Sequence, residues 1–220
     1  MIEGTLEGVG ACRLRVVEQS KAGARAQFVN PDAALREKIE DRLWSIHEEN
    51  TEFVTRAMEA GNALTGIFEQ AVARGEVKIE DLFDTDYAEI AGTNPQQYRT
   101  RYLDWADRAL PAFQEAFLAK DPRMAFCAMV DRNGFLPVHN RIYSHPQRPG
   151  DAAWNTANSR NRRMFNDPAG LAAARNLRSY LVQSYARDMG NGNTVMMREI
   201  DVPIRVQGRH WGGFRTAYKL

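Results

Sequence analysis

Cysteine is scarce in this chain of 220 residues. Cys12 and Cys127 are its only two, and they form neither a CxxC nor any other metal-clasp spacing. Cys127 lies inside an apolar run and reads as a reduced core residue. No stretch reaches the roughly 18 apolar residues of a membrane span. The N-terminus lacks the apolar core of a signal peptide, so the expectation is a soluble, cytoplasmic chain with no membrane segment of its own. A domain excised from a longer membrane receptor would read the same way. Lysine is also rare, and there is neither a basic tail nor zinc-finger spacing. The aromatic residues do not alternate with basic ones as a base-stacking surface requires, so no nucleic-acid partner is expected. GxSxG, a phosphate loop, HExxH and an arguable carboxylate pair are all missing, which points away from an enzyme and leaves no catalytic residue to nominate.

What is abundant is arginine. Of 29 basic residues 24 are Arg, a side chain suited to planar, bidentate recognition of carboxylate or phosphate. The net charge of +1 hides an asymmetry. Residues 1–120 carry 14 basic and 21 acidic side chains, a charge of −7, whereas residues 121–220 carry 15 and 7, a charge of +8. The basic half is able to receive an anionic ligand or an acidic partner. Apolar residues make up 44%, enough to bury one sizeable core.

Three regions follow from the pattern. Residues 1–30 read as an N-terminal extension, with CRLRVV and AQFV as short strands or parts of an arm. Residues 31–120 read as a helical stalk or cover. Asn30, Pro31 and Asp32 open a helix on which Leu35, Ile39, Leu43, Ile46, Phe53, Ala57, Leu64, Ile67 and Ala71 recur at helical spacing. It is expected to end near Arg74 with Gly75 as its stop and Gly61 as a weak point. Its length suits pairing with a second helix, either in a homodimer or against its own domain. His47 on this helix reads as a solvated or seam-edge residue. A second helix is expected from about Pro95 to Lys120, kinked or divided at Pro111.

Residues 121–220 read as a sensor domain. Met124–Val130 has strand length, Asp131 to Gly134 makes a turn, and Phe135–Val138 continues as an irregular strand because of Pro137. AAWNTANSRNRRMF reads as a helix in an arginine-rich stretch, where adjacent arginines cannot all face one ligand. LRSYLVQSYARD, TVMMREIDVPIRV and the run after GRHWG supply the last strands. Strand alternation puts Tyr185 and Arg187 on one face, and also Arg205, Arg209 and Trp211 if the glycine turn keeps the register. His139 and His210, if both lie at the open end of the sheet, form a candidate pair for a metal or for haem iron. Hydrogen bonding to a ligand and turn anchoring are the other roles open to them.

Several ordered motifs, DRNGFLPVHN, NRRMFND, QSYARDMG and RHWGGFRTAY, preceded by LFDTDYAEIAGTNPQQYRTRY, resemble the sensory region of some bacterial methyl-accepting chemotaxis proteins. The resemblance covers roughly residues 57–220. It implies an α+β, PAS-like or Cache-like domain, with an antiparallel sheet, flanking helices and a long N-terminal helix that relays ligand state to a signalling partner. Among the positions that match its motifs, His139, Asn140, Arg163, Arg187 and Trp211 are the expected ligand-pocket residues. This chain has no transmembrane helix, signalling coiled coil or methylated hairpin, so it reads as a stand-alone relative or as a domain of a receptor. The leading expectation is a non-enzymatic, dimeric sensor of a small polar or anionic ligand. The alternatives are a haem- or metal-bound gas or redox sensor using His139 or His210, and an adaptor that binds protein alone.

Overall fold

Residues 1–20 and 23–219 are described by a computed structural model, with the side chains at 20, 23, 47 and 49 set aside. The expectation for His47 therefore lies outside the described residues. The chain divides into two compact units, Met1–Phe53 and Val54–Leu220. Helix and antiparallel sheet are mixed throughout, and among the described residues no helix is long and apolar enough to cross a membrane.

In the first unit, β1 (Ile2–Leu6), β2 (Gly10–Ser20) and β3 (Gly23–Phe28) form an antiparallel sheet with β2 in the centre. Leu14 of β2 stands opposite Ile2 on one side and Phe28 on the other. A sheet thus precedes α1 (Ala33–Ala73), which starts behind Asp32 as its oxygen accepts from the Leu35 N–H at 2.8 Å.

The second unit contains the rest of α1. Gly61 does not break it. A β-carbon there would lie 2.7 Å from a methyl of Val202, so close helix–sheet packing accounts for a residue that costs about 1 kcal/mol in a helix interior. Helix α1 stops where Gly75 takes a left-handed φ of +69°, with its N–H on the Val72 carbonyl at 3.0 Å. A short α2 (Ile79–Leu82) and a small hairpin, β4 (Ala88–Ile90) with β5 (Gln97–Arg99), follow. Residues 97–99 were expected to be helical. The Thr93 hydroxyl accepts from the Gln97 N–H at 2.9 Å and closes the hairpin instead. Helix begins only with α3 (Leu103–Ala109), and Pro111 then opens α4 (Pro111–Leu118), where its missing donor costs no bond.

The central sheet has the order β6-β11-β10-β9. Its strands are β6 (Met124–Asp131), β9 (Leu181–Asp188), β10 (Thr194–Val206) and β11 (Arg209–Lys219). After β6 the turn is held by Asp131, whose oxygen accepts from the N–H groups of Asn133 and Phe135 at 2.9 and 3.0 Å. Gly134, at φ +89°, completes it. Between β6 and β9 run β7 (Phe135–Leu136), a 3-10 turn (Arg141–Tyr143), α5 (Ala152–Asn158), β8 (Arg163–Met164) and α6 (Pro168–Ala174). The helix read over AAWNTANSRNRRMF ends at Asn158, because Arg163 and Met164 pair with Leu136 and Phe135.

One face of this sheet packs on helices. Phe113 and Phe117 of α4 set their rings 6.1 and 5.4 Å from Phe214. Phe68 of α1 lies 4.9 Å from Trp105 and 4.8 Å from Trp211. Such edge-on contacts add to area burial. The register shifts at Ile204/Arg205, so that Ile204 opposes Gly212 and Arg205 opposes His210, with Trp211 as the extra residue. The condition for Arg205, Arg209 and Trp211 to share a face, an unbroken register, is therefore not met.

Candidate ligand-binding site

The opposite face of the sheet carries charge. Opposed residues of an antiparallel pair share a face. Phe126 stands opposite Ala217, Ala217 opposite Glu199, and Glu199 opposite Gln183. One step along, Ala128 opposes Arg215 and Arg215 opposes Asp201. Tyr185 and Arg187 follow on the same face of β9, opposite Met197 and Val195. The segment from β7 to α6 covers this face. Phe126, Ala128, Leu136, Ala174, Met197 and Ala217 form an apolar cluster there, with Tyr143, Phe165 and Tyr185 packed against it.

Sheet and cover do not close completely. They leave a cavity of about 340 Å³ lined by Phe126, Leu136, His139, Arg160, Arg163, Met164, Phe165, Asp167, Tyr185, Ala186, Asp188 and Arg215. The arginines of the cover divide. Arg162 takes a left-handed φ of +61°, an uncommon state for a residue with a side chain, and it is held there by its N–H on the Leu136 carbonyl at 2.6 Å and its own carbonyl on the Tyr98 N–H at 2.7 Å. Its guanidinium bonds Asp107 at 2.8 Å, while Arg160 and Arg163 line the cavity. Arg160 donates to the carbonyls of Thr156 and Asp188 at 2.8 and 3.0 Å, which ties the cover to the end of β9. Burial pushes the Arg160 guanidinium down to about 9, assisted by Arg187 and Arg163. Burial likewise lowers Arg163 to about 10, against the opposing pull of Asp188.

On the sheet side, Arg215 is paired with Glu199. Its Nε and Nη2 donate to the two oxygens of Glu199 at 2.7 and 2.8 Å, and the two side chains are 4% and 0% exposed. Burial opposes the charge on Arg215, but Glu199 outweighs it and the guanidinium is held protonated. Asp201 lies behind this pair. Its Oδ2 accepts from Gln183 at 2.8 Å, and its Oδ1 is buried without a hydrogen bond, 3.9 Å from Nε of Arg215. Burial, then the charge of Glu199, pushes its carboxyl well above the usual carboxylate range.

His139 is buried at the cavity wall. Its Nδ1 accepts from the Asn140 N–H at 2.8 Å. A backbone N–H only donates, so the neutral ring carries its proton on Nε2. Burial, followed by the field of Arg187, Arg160, Arg215 and Arg163, holds its pKa well down. His139 thus offers the cavity wall a neutral N–H donor. Arg187 lies just behind, its Cζ 4.6 Å from the ring centre of Phe126 and 4.1 Å from that of Tyr143.

Of the residues singled out from sequence, His139 and Arg163 line the cavity and Arg187 adjoins it. Asn140 and Trp211 do not line it. The Asn140 side chain ties β6 to α4, with its oxygen on the Cys127 N–H at 2.8 Å and its amide on Glu115 at 3.2 Å. Trp211 belongs to the helix-packed core, where Nε1 donates to the Leu82 carbonyl at 2.8 Å. His210 stands in other surroundings from His139, with Nε2 on the Ala174 carbonyl at 2.8 Å, and therefore also carries its proton on Nε2. Neither ring offers an Nε2 lone pair to iron, so the pair does not fit haem ligation through those atoms. Among the described residues no group of three or more His, Cys, Asp or Glu side chains could hold a metal ion.

No protein-family model matches the chain, and no curated protein matches it.

The Glu199–Asp201–Arg215–Gln183 network was missed. Its signal was present in REIDVPI, where Glu199 and Asp201 alternate with Ile200 and Val202, a pattern that reads as one wet and one dry face. Both faces are in fact buried.

Proposed function

We propose that this chain is a non-enzymatic sensing domain that takes a small anionic molecule between its sheet and its arginine-rich cover, in the manner of the chemotaxis sensory regions its motifs resemble. The observation that carries this reading is the cavity itself. Its volume falls in the range of small-molecule pockets, and Arg160, Arg163 and the N–H of His139 stand in its wall. A PAS-like or Cache-like identity is part of the proposal, supported by the central antiparallel sheet, the helices against one face and the ligand-sized space against the other.

The packing supports a relay. The cavity wall and the helix contact belong to the same sheet, since Glu199 and Asp201 face the cavity side while Val202 meets α1 at Gly61. A ligand that binds two arrangements of the cover unequally shifts the sheet and the helix on it. Dimerisation through the first part of α1 belongs to the same proposal. It is supported by Leu43 and Trp44, which are 61% and 67% exposed.

Thermal unfolding of the full chain against a panel of sodium salts and small acids, followed by hydrogen exchange, tests the reading. The expected outcome is a rise in melting temperature with one anionic class and a change in amide protection at residues 141–174. An unchanged melting temperature across anions, or protection that changes only in residues 1–53, would count against it.

A further inference from the structure

We propose that Arg187 grips the anion through the Nε/Nη2 edge of its guanidinium and reports its arrival to the cover, an inference resting on the sensing role proposed above. Arg187 is 2% exposed, and its Nε and Nη2 are buried with no hydrogen-bond partner. Those two atoms form one edge of the planar group, which matches two oxygens of one planar anion. The molecule holds its own template for that match in Arg215, whose Nε and Nη2 take the two oxygens of Glu199 at 2.7 and 2.8 Å. Arg187 has the same edge on the same face of the sheet and lacks the acceptor. Ring faces offer its charge some compensation, but they accept neither N–H in its plane. The neighbouring Arg160 and Arg215 repel it, and burial lowers its pKa. An arginine in this state is costly until an acceptor arrives.

Its two aromatic contacts connect ligand to cover. Phe126 is in the cavity wall, and Tyr143 ends the 3-10 turn of the cover. The donor edge is closed to water in this arrangement, so an anion reaches it only as the guanidinium turns from the rings toward the cavity. That turn removes the cation from Tyr143 and loosens residues 141–143. Asp167 and Asp188 line the same cavity and oppose a second negative charge, which favours a singly charged, two-oxygen group.

The test compares wild type, Arg187→Met and Arg187→Lys as full chains, melted in sodium chloride and, at matched ionic strength, in sodium acetate, benzoate or phosphate. In chloride, Arg187→Met is expected to melt about 3 °C or more above wild type, since an unsatisfied buried charge has been removed. Acetate or benzoate should stabilise wild type, leave Arg187→Met unmoved and act only weakly on Arg187→Lys, which keeps the charge without the fork. Amide exchange at residues 141–143 should quicken with acetate or benzoate in wild type alone. An Arg187→Met variant that melts lower in chloride, or that responds to acetate and benzoate as wild type does, overturns the role of Arg187 and leaves the sensing role standing. Stabilisation of wild type by phosphate alone overturns the two-oxygen match. If none of the anions moves wild type, both proposals fall together.

Discussion

The two faces of the central sheet are built to different rules. On the helix side, aromatic rings meet edge-on, with Phe68 between Trp105 and Trp211 and Phe214 against Phe113 and Phe117. On the cavity side, within a few residues of each other on the same strands, stand Arg187, Arg215, Glu199 and Asp201, all 4% exposed or less. The first face gains from burial alone. The second gives up part of that gain to hold charges, an empty volume and donors that lack acceptors. A stable sheet needs only the first arrangement, so the second points to function.

Substitutions that separate the faces should separate stability from anion response. The largest losses are expected from Trp211→Ala on the helix side and Glu199→Gln on the cavity side. The first removes a fully packed side chain and should cost about 3–5 kcal/mol in denaturant unfolding. The second strands Arg215 as a buried cation, and a loss of about 3–5 kcal/mol is expected. Here the faces should differ: replacing both Glu199 and Arg215 with apolar residues should recover much of the loss, whereas no partner substitution restores Trp211. If Glu199→Gln proves neutral, the charged face is not organised around that pair.

Gly61→Ala ranks next. Its new β-carbon would lie 2.7 Å from Val202, with an expected cost of about 1–3 kcal/mol. Val202→Ala in the same chain should relieve it, and a double-mutant cycle with no coupling would contradict the close approach.

Two carboxylates give pH dependences of opposite sign. Asp121 is held down to about 2 by Arg123 first and then, against burial, by Arg56 as well. Its folded-state pKa is below the ordinary value near 4, so its stabilisation is complete above about pH 4 and is lost as the pH falls toward 2. Asp121→Asn should cost roughly 1–2 kcal/mol at pH 7 and little at pH 2. Asp201 is raised, so the folded state keeps a proton that the unfolded chain releases above about pH 4. Asp201→Asn should therefore raise stability at pH 7 and leave it unchanged below about pH 4. Urea midpoints from pH 2 to 8 check both, and a common slope for the two variants would contradict the assignment.

Much of the second unit was legible from periodicity and turn chemistry. The strands around Met124–Val130 and Thr194–Val206, the Asp131–Gly134 turn and the end of α1 at Gly75 follow from alternation and from glycine's access to left-handed backbone. The β4–β5 hairpin was not legible, because the aromatic spacing of Tyr98, Tyr102 and Trp105 imitates a helix, while the turn is closed by the side chains of Thr93 and Gln96. Gly61 misled for a related reason: propensity marks it as weak, and its value lies in a contact 141 positions along the chain, at Val202. Of the residues singled out at strand ends and in the arginine-rich stretch, His139 and Arg163 line the cavity and Arg187 adjoins it. Asn140 and Trp211 have polar atoms too, but backbone partners inside the core take them up.

Native mass spectrometry of the purified chain, beside an Arg163→Met variant, bears on the sensing role before any ligand is guessed. One small acid retained per wild-type chain, released on denaturation and missing from the variant, is the expected result. Equal retention by both proteins, or a retained molecule that is cationic, would contradict an anion held against the arginines of this cavity.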